Sequence, residues 1–154
     1  MSTTEPLLIR PMVEEDYEEV YALWMTIHGF AMRSLDDSKE NITRFIRRNP
    51  ETSMVAVLSG QIVGAILCGH DGRRACFYHV CVAEAHRKRG IGQKMVKACL
   101  EALEKEGINK VNLIAFKSNE VGNRFWKRLG WTYRSDVNYY DYVLNENNTT
   151  NVNP

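Results

Sequence analysis

A basic turn containing two glycines, residues 86–92 (His-Arg-Lys-Arg-Gly-Ile-Gly), is the part of the sequence best suited to binding an anion. It follows a β-prone run, Val80-Cys81-Val82, and leads into a predicted helix with apolar residues spaced four apart between Ile91 and Leu103. Glycines let the backbone turn tightly and approach a ligand closely. The first N–H groups of a helix lack intrahelical partners and lie at the positive end of its dipole. Together with three basic side chains, this arrangement predicts a phosphate site.

Two common phosphate-binding motifs do not match this turn. A Rossmann fingerprint requires a third glycine, whereas the sequence continues from Gly92 as Gln-Lys-Met. It also requires an acidic residue at the end of the next strand, where Ala115-Phe116-Lys117 stands instead. The Walker A pattern, with Lys-Ser or Lys-Thr after the second glycine, is absent from the sequence. The phosphate site therefore belongs to another class of loop.

The composition is that of an ordinary globular protein. The 154 residues predict one domain, with 44% apolar and 25% charged residues. A formal net charge of +1 argues against general nucleic-acid binding. No apolar run approaches the roughly 20 residues of a membrane span, and the first five residues begin no secretory signal. The expected protein is cytoplasmic and binds neither nucleic acid nor membranes.

The cysteines are predicted to be reduced core residues. No two of them are spaced as Cys-x-x-Cys, and each lies in a predicted strand or on the apolar side of a predicted helix. We therefore expect neither a disulfide nor a metal site from Cys68, Cys76, Cys81 and Cys99.

Apolar periodicity predicts the order β-α-α-β-β-β-α-β-α-β-β along the chain. The predicted strands are residues 7–10, 54–58, 62–67, 76–82, 110–116, 131–134 and 139–144. The predicted helices run from 13 to about 28, from Asp37 as N-cap to 49, from 91 to 106, and from Ser118 or Asn119 to 129. The polar residues 145–154 are predicted to be a disordered tail.

This order and two motifs resemble the GNAT superfamily of acetyl-CoA-dependent N-acetyltransferases. Arg87-x-x-Gly90-x-Gly92 is similar to the superfamily's pyrophosphate loop, Arg/Gln-x-x-Gly-x-Gly/Ala, and residues 119–131 resemble its closing Asn…Phe-Tyr-x-x-x-Gly-Phe segment. The resemblance spans about residues 7–144 and is strongest to the branch of ribosomal-protein-alanine acetyltransferases, with details similar to a bacterial subgroup. It implies a single α/β (α+β) GNAT domain over residues 1–144. That domain has a mixed, mostly antiparallel twisted sheet of about seven strands flanked by four helices, splayed between the fourth and fifth strands.

The resemblance also implies that acetyl-CoA is the acyl donor and that no metal takes part. The pantetheine arm would fill the splay as a surrogate strand, the turn would hold the pyrophosphate, and the basic side chains would add charge at its rim. For Asn119 the alternatives are a hydrogen bond to the pantetheine arm or a helix N-cap alone. The implied cofactor-binding residues are Val80, Cys81, Val82, Arg87, Lys88, Arg89, Gly90, Ile91, Gly92 and Asn119.

The implied reaction is direct attack of a neutral amine on the thioester, with a backbone N–H, that of Val82, stabilising the oxyanion. The usual catalytic side chains of the superfamily are missing. Trp126 stands at the position of the acidic tyrosine, Ile114 at that of the glutamate base, and Cys76 at that of an early acid. The remaining catalytic candidates are His79, Tyr78 and Tyr139, although water relays could replace them. Strand alternation places only one of Tyr78 and His79 on the cofactor face, unless a bulge intervenes.

The acceptor amine is expected to contact the first helix, the loop after it and the last hairpin, through His28, Phe30 and Tyr140. Trp24, in the same helix, is interpreted as a core residue. A protein N-terminus and a small amine are both open as acceptors. The alternative function is a non-catalytic module that binds acetyl-CoA or CoA and regulates another process. Either a monomer or a homodimer is compatible with the sequence.

Overall fold

Seven strands and four helices make up the computed structural model, which describes residues 6–154. The strands are β1 Leu7–Pro11, β2 Ala31–Arg33, β3 Met54–Leu58, β4 Gln61–His70, β5 Ala75–Val82, β6 Val111–Leu113 and β7 Thr150–Val152. The helices are α1 Tyr17–Thr26, α2 Lys39–Arg48, α3 Ile91–Lys105 and α4 Glu120–Arg128. Within residues 6–154, no helix combines the length and the apolar character needed to cross a membrane.

The main sheet has the strand order β1-β3-β4-β5-β6 and is antiparallel except for the parallel pair β5–β6. Its central strand β4 is buried on both faces, which explains its continuous apolar run from residue 62 to 68. One face packs on α1 and α2, and the other packs on α3 and α4. The mixed, mostly antiparallel sheet with four helices that the sequence predicted is confirmed.

β5 and β6 diverge soon after they meet. Their pairing covers only Ala75↔Val111, Cys76↔Asn112 and Phe77↔Leu113. From residue 78 to 82, β5 therefore has no strand partner on this side among the described residues. The predicted splay between these two strands, the fourth and fifth of the predicted order, is confirmed.

The C-terminal strands differ from the prediction. Neither 131–134 nor 139–144 is a strand, and the exposed residues 132–147 form no strand pairing in the part of the chain that the structure describes. Alternating aromatic residues give these segments β propensity, but a strand also needs an adjacent edge. A second sheet forms instead, with Ala31↔Val152, Met32↔Asn151 and Arg33↔Thr150 paired antiparallel.

The predicted disordered tail, residues 145–154, is the segment that supplies β7. It is anchored by Asn153, whose side-chain amide donates hydrogen bonds to the carbonyl oxygens of Trp24 and Ile27 at 2.9 and 3.0 Å. The Asn153 backbone N–H also donates to the Phe30 carbonyl at 2.8 Å. Polar composition predicted disorder because it signals little apolar burial, whereas this segment is held by hydrogen bonds.

The start of α2 also differs. Ser38, rather than Asp37, is the N-cap, and its hydroxyl oxygen accepts a hydrogen bond from the Asn41 N–H at 3.2 Å. Asp and Ser are both favoured N-cap residues, so the sequence alone does not distinguish position 37 from position 38 as the N-cap. The carboxylate of Asp37 is left available for a different contact, described below. α1 ends at Thr26, two residues before the predicted end.

Candidate functional site

The turn between β5 and α3 has the backbone that an anion site requires. Gly90 is the N-cap of α3 in the left-handed conformation, with φ 78°, and Lys88 has φ 64°. Among the described residues, none accepts a hydrogen bond from the backbone N–H groups of residues 88–93. The side chains of residues 87–89 are exposed around them. A row of free N–H groups at a helix N-terminus, surrounded by cations, suits a pyrophosphate.

The two glycines of this turn are needed for different reasons. At Gly90 a Cβ would have open space, but the positive φ strains any other residue. At Gly92 a Cβ would lie 3.2 Å from the Phe125 ring and 3.7 Å from a Val82 methyl group. The second glycine thus lets the start of α3 pack closely against α4 and the end of β5.

The backbone of Val82 faces the open side of β5. The N–H of Ala83 donates to the Val63 carbonyl on β4 at 2.7 Å, and neighbouring residues in an antiparallel ladder direct their backbone groups to opposite sides. Consistent with this, the Val82 carbonyl accepts a hydrogen bond from Arg87 Nε at 3.1 Å rather than from β4. The N–H that the sequence proposed for the oxyanion therefore points into the splay.

Cys81, near the end of this strand, is an unreactive thiol. Cys81 is buried on the α1 and α2 side, while Val80 and Val82 pack on the opposite face. Burial raises the pKa of the Cys81 thiol to about 12, so it carries its proton at neutral pH. Cys68, Cys76 and Cys99 are also free thiols.

A β-bulge interrupts β5 at its centre. Ala65 pairs with Cys81 and Leu67 pairs with Tyr78, so His79 and Val80 together oppose one residue of β4. His79 has φ 49°. The bulge brings two consecutive side chains, Tyr78 and His79, to the face covered by α1 and α2, where simple alternation places only one.

The imidazole of His79 is held on three sides. Its Nε2 lies 2.8 Å from Asp37 Oδ1, and its ring stacks on Phe30 at 5.2 Å and tilts against Trp24 at 4.9 Å between centroids. No described residue forms a hydrogen bond with Nδ1, which is not enclosed. Trp24 is fully buried, which confirms its interpretation as a core residue.

Asp37 is a site residue that the sequence did not reveal. Only 5% exposed, it also accepts a hydrogen bond at Oδ2 from the Arg33 N–H at 2.7 Å. Asp37 lies 42 positions from His79 in the sequence, and its position just before α2 led to its prediction as the N-cap of that helix. No linear pattern joins the two residues, because the bulge that brings His79 to this face is not visible in the sequence.

Tyr78 lies beside the imidazole on the same face. Its ring contacts Phe45 edge-on at 6.1 Å between centroids, and its side chain is half exposed. Burial of the hydroxyl, with smaller contributions from Cys76, Tyr139 and Asp36, raises the pKa of Tyr78 to about 12. The Tyr78 hydroxyl thus keeps its proton at neutral pH and is available to donate a hydrogen bond.

The other predicted site residues lie further out. Phe30 stacks on the His79 ring. His28 and Tyr140 are exposed, and neither takes part in the described contacts of His79. Tyr139 is 67% exposed and lies near Tyr78. Asn119 caps α4 by accepting a hydrogen bond from the Gly122 N–H at 3.0 Å.

The position of the superfamily's tyrosine acid is occupied by an aromatic cluster. Trp126 packs on Trp131 at 4.6 Å and on Phe77 at 6.1 Å between centroids, on the α3 and α4 side of the sheet. It is therefore on the face opposite to His79 and Tyr78. Over residues 6–154, no group of three or more His, Cys, Asp or Glu side chains is arranged to hold a metal ion.

Comparisons with known proteins agree with this geometry. The model of the acetyltransferase (GNAT) family matches residues 12–131. An acetyltransferase of Yersinia enterocolitica is 30% identical over 129 residues, which are 84% of this chain and 90% of the relative. The family match includes the β5–α3 turn, His79 and Asp37.

Solved structures share the fold. Ard1 from Thermoplasma volcanium is similar with a TM-score of 0.71 at 26% identity over 84% of each chain. The aminoglycoside N-acetyltransferase AAC(6')-Iy, in complex with CoA, has a TM-score of 0.71 at 14% identity, covering 92% of this chain and 98% of its own. A ribosomal-protein-alanine N-acetyltransferase from Brucella melitensis has a TM-score of 0.66 at 15% identity, covering 90% and 100%. The chain therefore belongs to the acetyltransferase (GNAT) family.

Proposed function

We propose that the protein transfers the acetyl group of acetyl-CoA directly to a primary amine. The observation that carries this proposal is the row of unpaired N–H groups at residues 88–93, next to the opening between β5 and β6. An extended pantetheine arm fits along the free edge of β5, and a pyrophosphate fits the start of α3. The binding residues are Val80, Cys81, Val82, Arg87, Lys88, Arg89, Gly90, Ile91, Gly92 and Asn119.

The opening supplies what the reaction needs. The amine nitrogen attacks the thioester carbonyl carbon, so that a C–N bond forms and negative charge develops on the carbonyl oxygen. The Val82 N–H points into the opening and donates a hydrogen bond to that oxygen. His79 Nδ1 accepts the proton that the amine nitrogen loses.

The second half of the reaction breaks the C–S bond and releases a thiolate. Tyr78, with its pKa of about 12, is a far weaker acid than a thiol of pKa about 8.5, so its hydroxyl stabilises the thiolate by hydrogen bonding without giving up its proton. The imidazolium of His79 returns the proton to the sulfur. Transfer is direct because the buried Cys81 thiol keeps its proton and does not form an acyl intermediate.

The acceptor site lies on the α1 and α2 side of β5. Phe30 and Tyr78 border the imidazole, and the exposed Tyr139 and Tyr140 are available to cover an acceptor. A protein N-terminus and a small amine both remain candidates, and the fold shared with an aminoglycoside N-acetyltransferase supports the latter. A cytoplasmic location, a monomeric or homodimeric state, and a reaction without a metal remain part of the proposal.

The alternative is a regulatory module that binds acetyl-CoA without catalysis, favoured by the tryptophan at the tyrosine position. To separate the two, acetyl-CoA is incubated with the protein and a panel of small amines and peptides while free thiol is measured. Acceptor-dependent thiol release supports the enzyme. Binding of acetyl-CoA by calorimetry, without thiol release across the panel, supports the module, and no binding at all contradicts both.

A further inference from the structure

We propose that Asp37 is a positioning residue for the transfer: it holds His79 in the tautomer and orientation in which Nδ1 is the base. This role rests on the proposed function. In a neutral imidazole one nitrogen carries the hydrogen and the other accepts. An ionised carboxylate only accepts, so the 2.8 Å contact between Asp37 Oδ1 and His79 Nε2 places the hydrogen on Nε2. The lone pair is then on Nδ1, the nitrogen without a described partner.

Asp37 is fixed through both its side chain and its backbone. The second carboxylate oxygen accepts the Arg33 N–H at 2.7 Å, and the Asp37 N–H donates to the Arg33 carbonyl at 3.1 Å. The buried Tyr17 hydroxyl donates to the Asp37 carbonyl at 2.6 Å. These contacts connect α1 and β2 to the residue that precedes α2, so both the backbone and the carboxylate of Asp37 are held in place beside the imidazole.

The backbone of His79 is consistent with a functional position. At φ 49° it lies in the left-handed region, which is strained for a residue with a Cβ. The stacking on Phe30 and the contact with Trp24 determine where the ring lies. A strained residue whose side chain is held by aromatic packing and a buried carboxylate is prepared for chemistry before the substrate arrives.

The decisive experiment is a double-mutant cycle on kcat/KM with Asp37→Asn and His79→Gln. The asparagine has nearly the same shape, but its NH₂ group donates to Nε2 and moves the ring hydrogen to Nδ1, where it blocks the base. We expect each single change to lower kcat/KM by about 100-fold or more, as for loss of a general base. The double variant should be no slower than His79→Gln alone, because Asp37 acts only through the imidazole. Effects that multiply in the double variant would overturn the proposal.

Ser38→Ala is the matched control, since it removes the N-cap of α2 next to Asp37 and destabilises the start of that helix without altering the carboxylate. We expect it to leave kcat/KM within threefold of the wild-type value. An equal loss in Ser38→Ala and Asp37→Asn would show that loosening of the loop is responsible and would overturn the role of Asp37. Calorimetric titration with CoA confirms that each variant is folded.

A measurement on the wild-type protein is independent of how the variants fold. The ¹⁵N chemical shifts of the His79 ring identify the protonated nitrogen, and we expect the hydrogen on Nε2. A neutral ring with its hydrogen on Nδ1 would overturn the proposal even if transfer occurs. Absence of thiol release from wild-type protein would instead contradict the proposed function, and the role of Asp37 with it.

Discussion

The guanidinium Nε of Arg87 donates a hydrogen bond to the carbonyl oxygen of Val82 at 3.1 Å, which ties the first cation of the basic turn to the last residue of β5. The terminal nitrogens of the same guanidinium form no other hydrogen bond to the described residues. Arg87 therefore has two tasks, since it shapes the turn and adds positive charge beside the free N–H groups.

Replacing Arg87 with lysine separates these tasks. Lysine keeps the charge but lacks the planar Nε–H group, so the bond to Val82 is lost. We expect the affinity for CoA, measured by calorimetry, to fall about three- to tenfold, as for the loss of a hydrogen bond worth about 1 kcal/mol. Arg73→Lys, in the exposed turn at the other end of β5, is the control and should not change the affinity. Equal affinities in all three proteins would contradict the anchoring role.

An acidic side chain at Gly90 tests where the pyrophosphate binds. Gly90→Asp introduces a negative charge into the row of N–H groups, and Gly107→Asp introduces the same charge after the end of α3. Both glycines have φ 78° with open space around a Cβ, so we expect similar losses of stability, about 1–2 kcal/mol. Only Gly90→Asp should weaken CoA binding, by tenfold or more. Equal CoA affinity in the two variants would place the pyrophosphate elsewhere.

Cys81 of β5 should take no covalent part in the reaction. Because burial raises the pKa of Cys81 to about 12, only about one thiol in ten thousand is ionised at pH 8. We expect iodoacetamide at pH 8 to leave this cysteine unmodified in the folded protein and to modify it after unfolding in urea. Mass spectrometry should find no acetyl group on Cys81 after incubation with acetyl-CoA alone. An acetylated Cys81, together with inactivation by alkylation, would contradict direct transfer.

Asp16 should make stability depend on pH in the acid range. Burial alone would raise its pKa, but hydrogen bonds from Arg10 at 2.7 and 2.9 Å and from the Val13 N–H lower it below the ordinary value. Because the pKa is lower in the folded state, this stabilisation is present above the unfolded value of about 3.9 and is lost as the pH falls through the folded value. Asp16→Asn should reduce the free energy of unfolding by about 2 kcal/mol at pH 7, with a smaller difference from wild type below pH 4.

The control for this measurement is Asp136→Asn. Asp136 forms a similar two-bonded pair with Arg134, at 2.8 and 3.0 Å, but both side chains are exposed. Water screens that pair, so we expect no measurable change in stability in urea unfolding at either pH. A difference for Asp16→Asn that stays constant from pH 7 to pH 3 would show that its hydrogen bonds do not depend on ionisation.

The parts of the fold that could be predicted are those specified by neighbouring residues. The spacing of four from Ile91 to Leu103 predicted α3, and the two glycines before and inside its first turn predicted the free N–H groups. The contact between Asp37 and His79 joins residues 42 positions apart and depends on a one-residue bulge. The place of β7 depends on the amide of Asn153 meeting two carbonyls at the end of α1. Neither the Asp37–His79 contact nor the Asn153 contacts produce a periodic pattern of residues from which they could be predicted.

The bulge in β5 separates the chemistry of this strand from its core. Pairing with β4 resumes on both sides of the extra residue, with Phe77 opposite Cys68 and Cys81 opposite Ala65. The flanking residues Phe77 and Val80 still pack against the α3 side. The strained backbone is therefore confined to position 79, and the groups that hold its imidazole, Phe30 and Asp37, lie outside the strand pairing that defines the sheet.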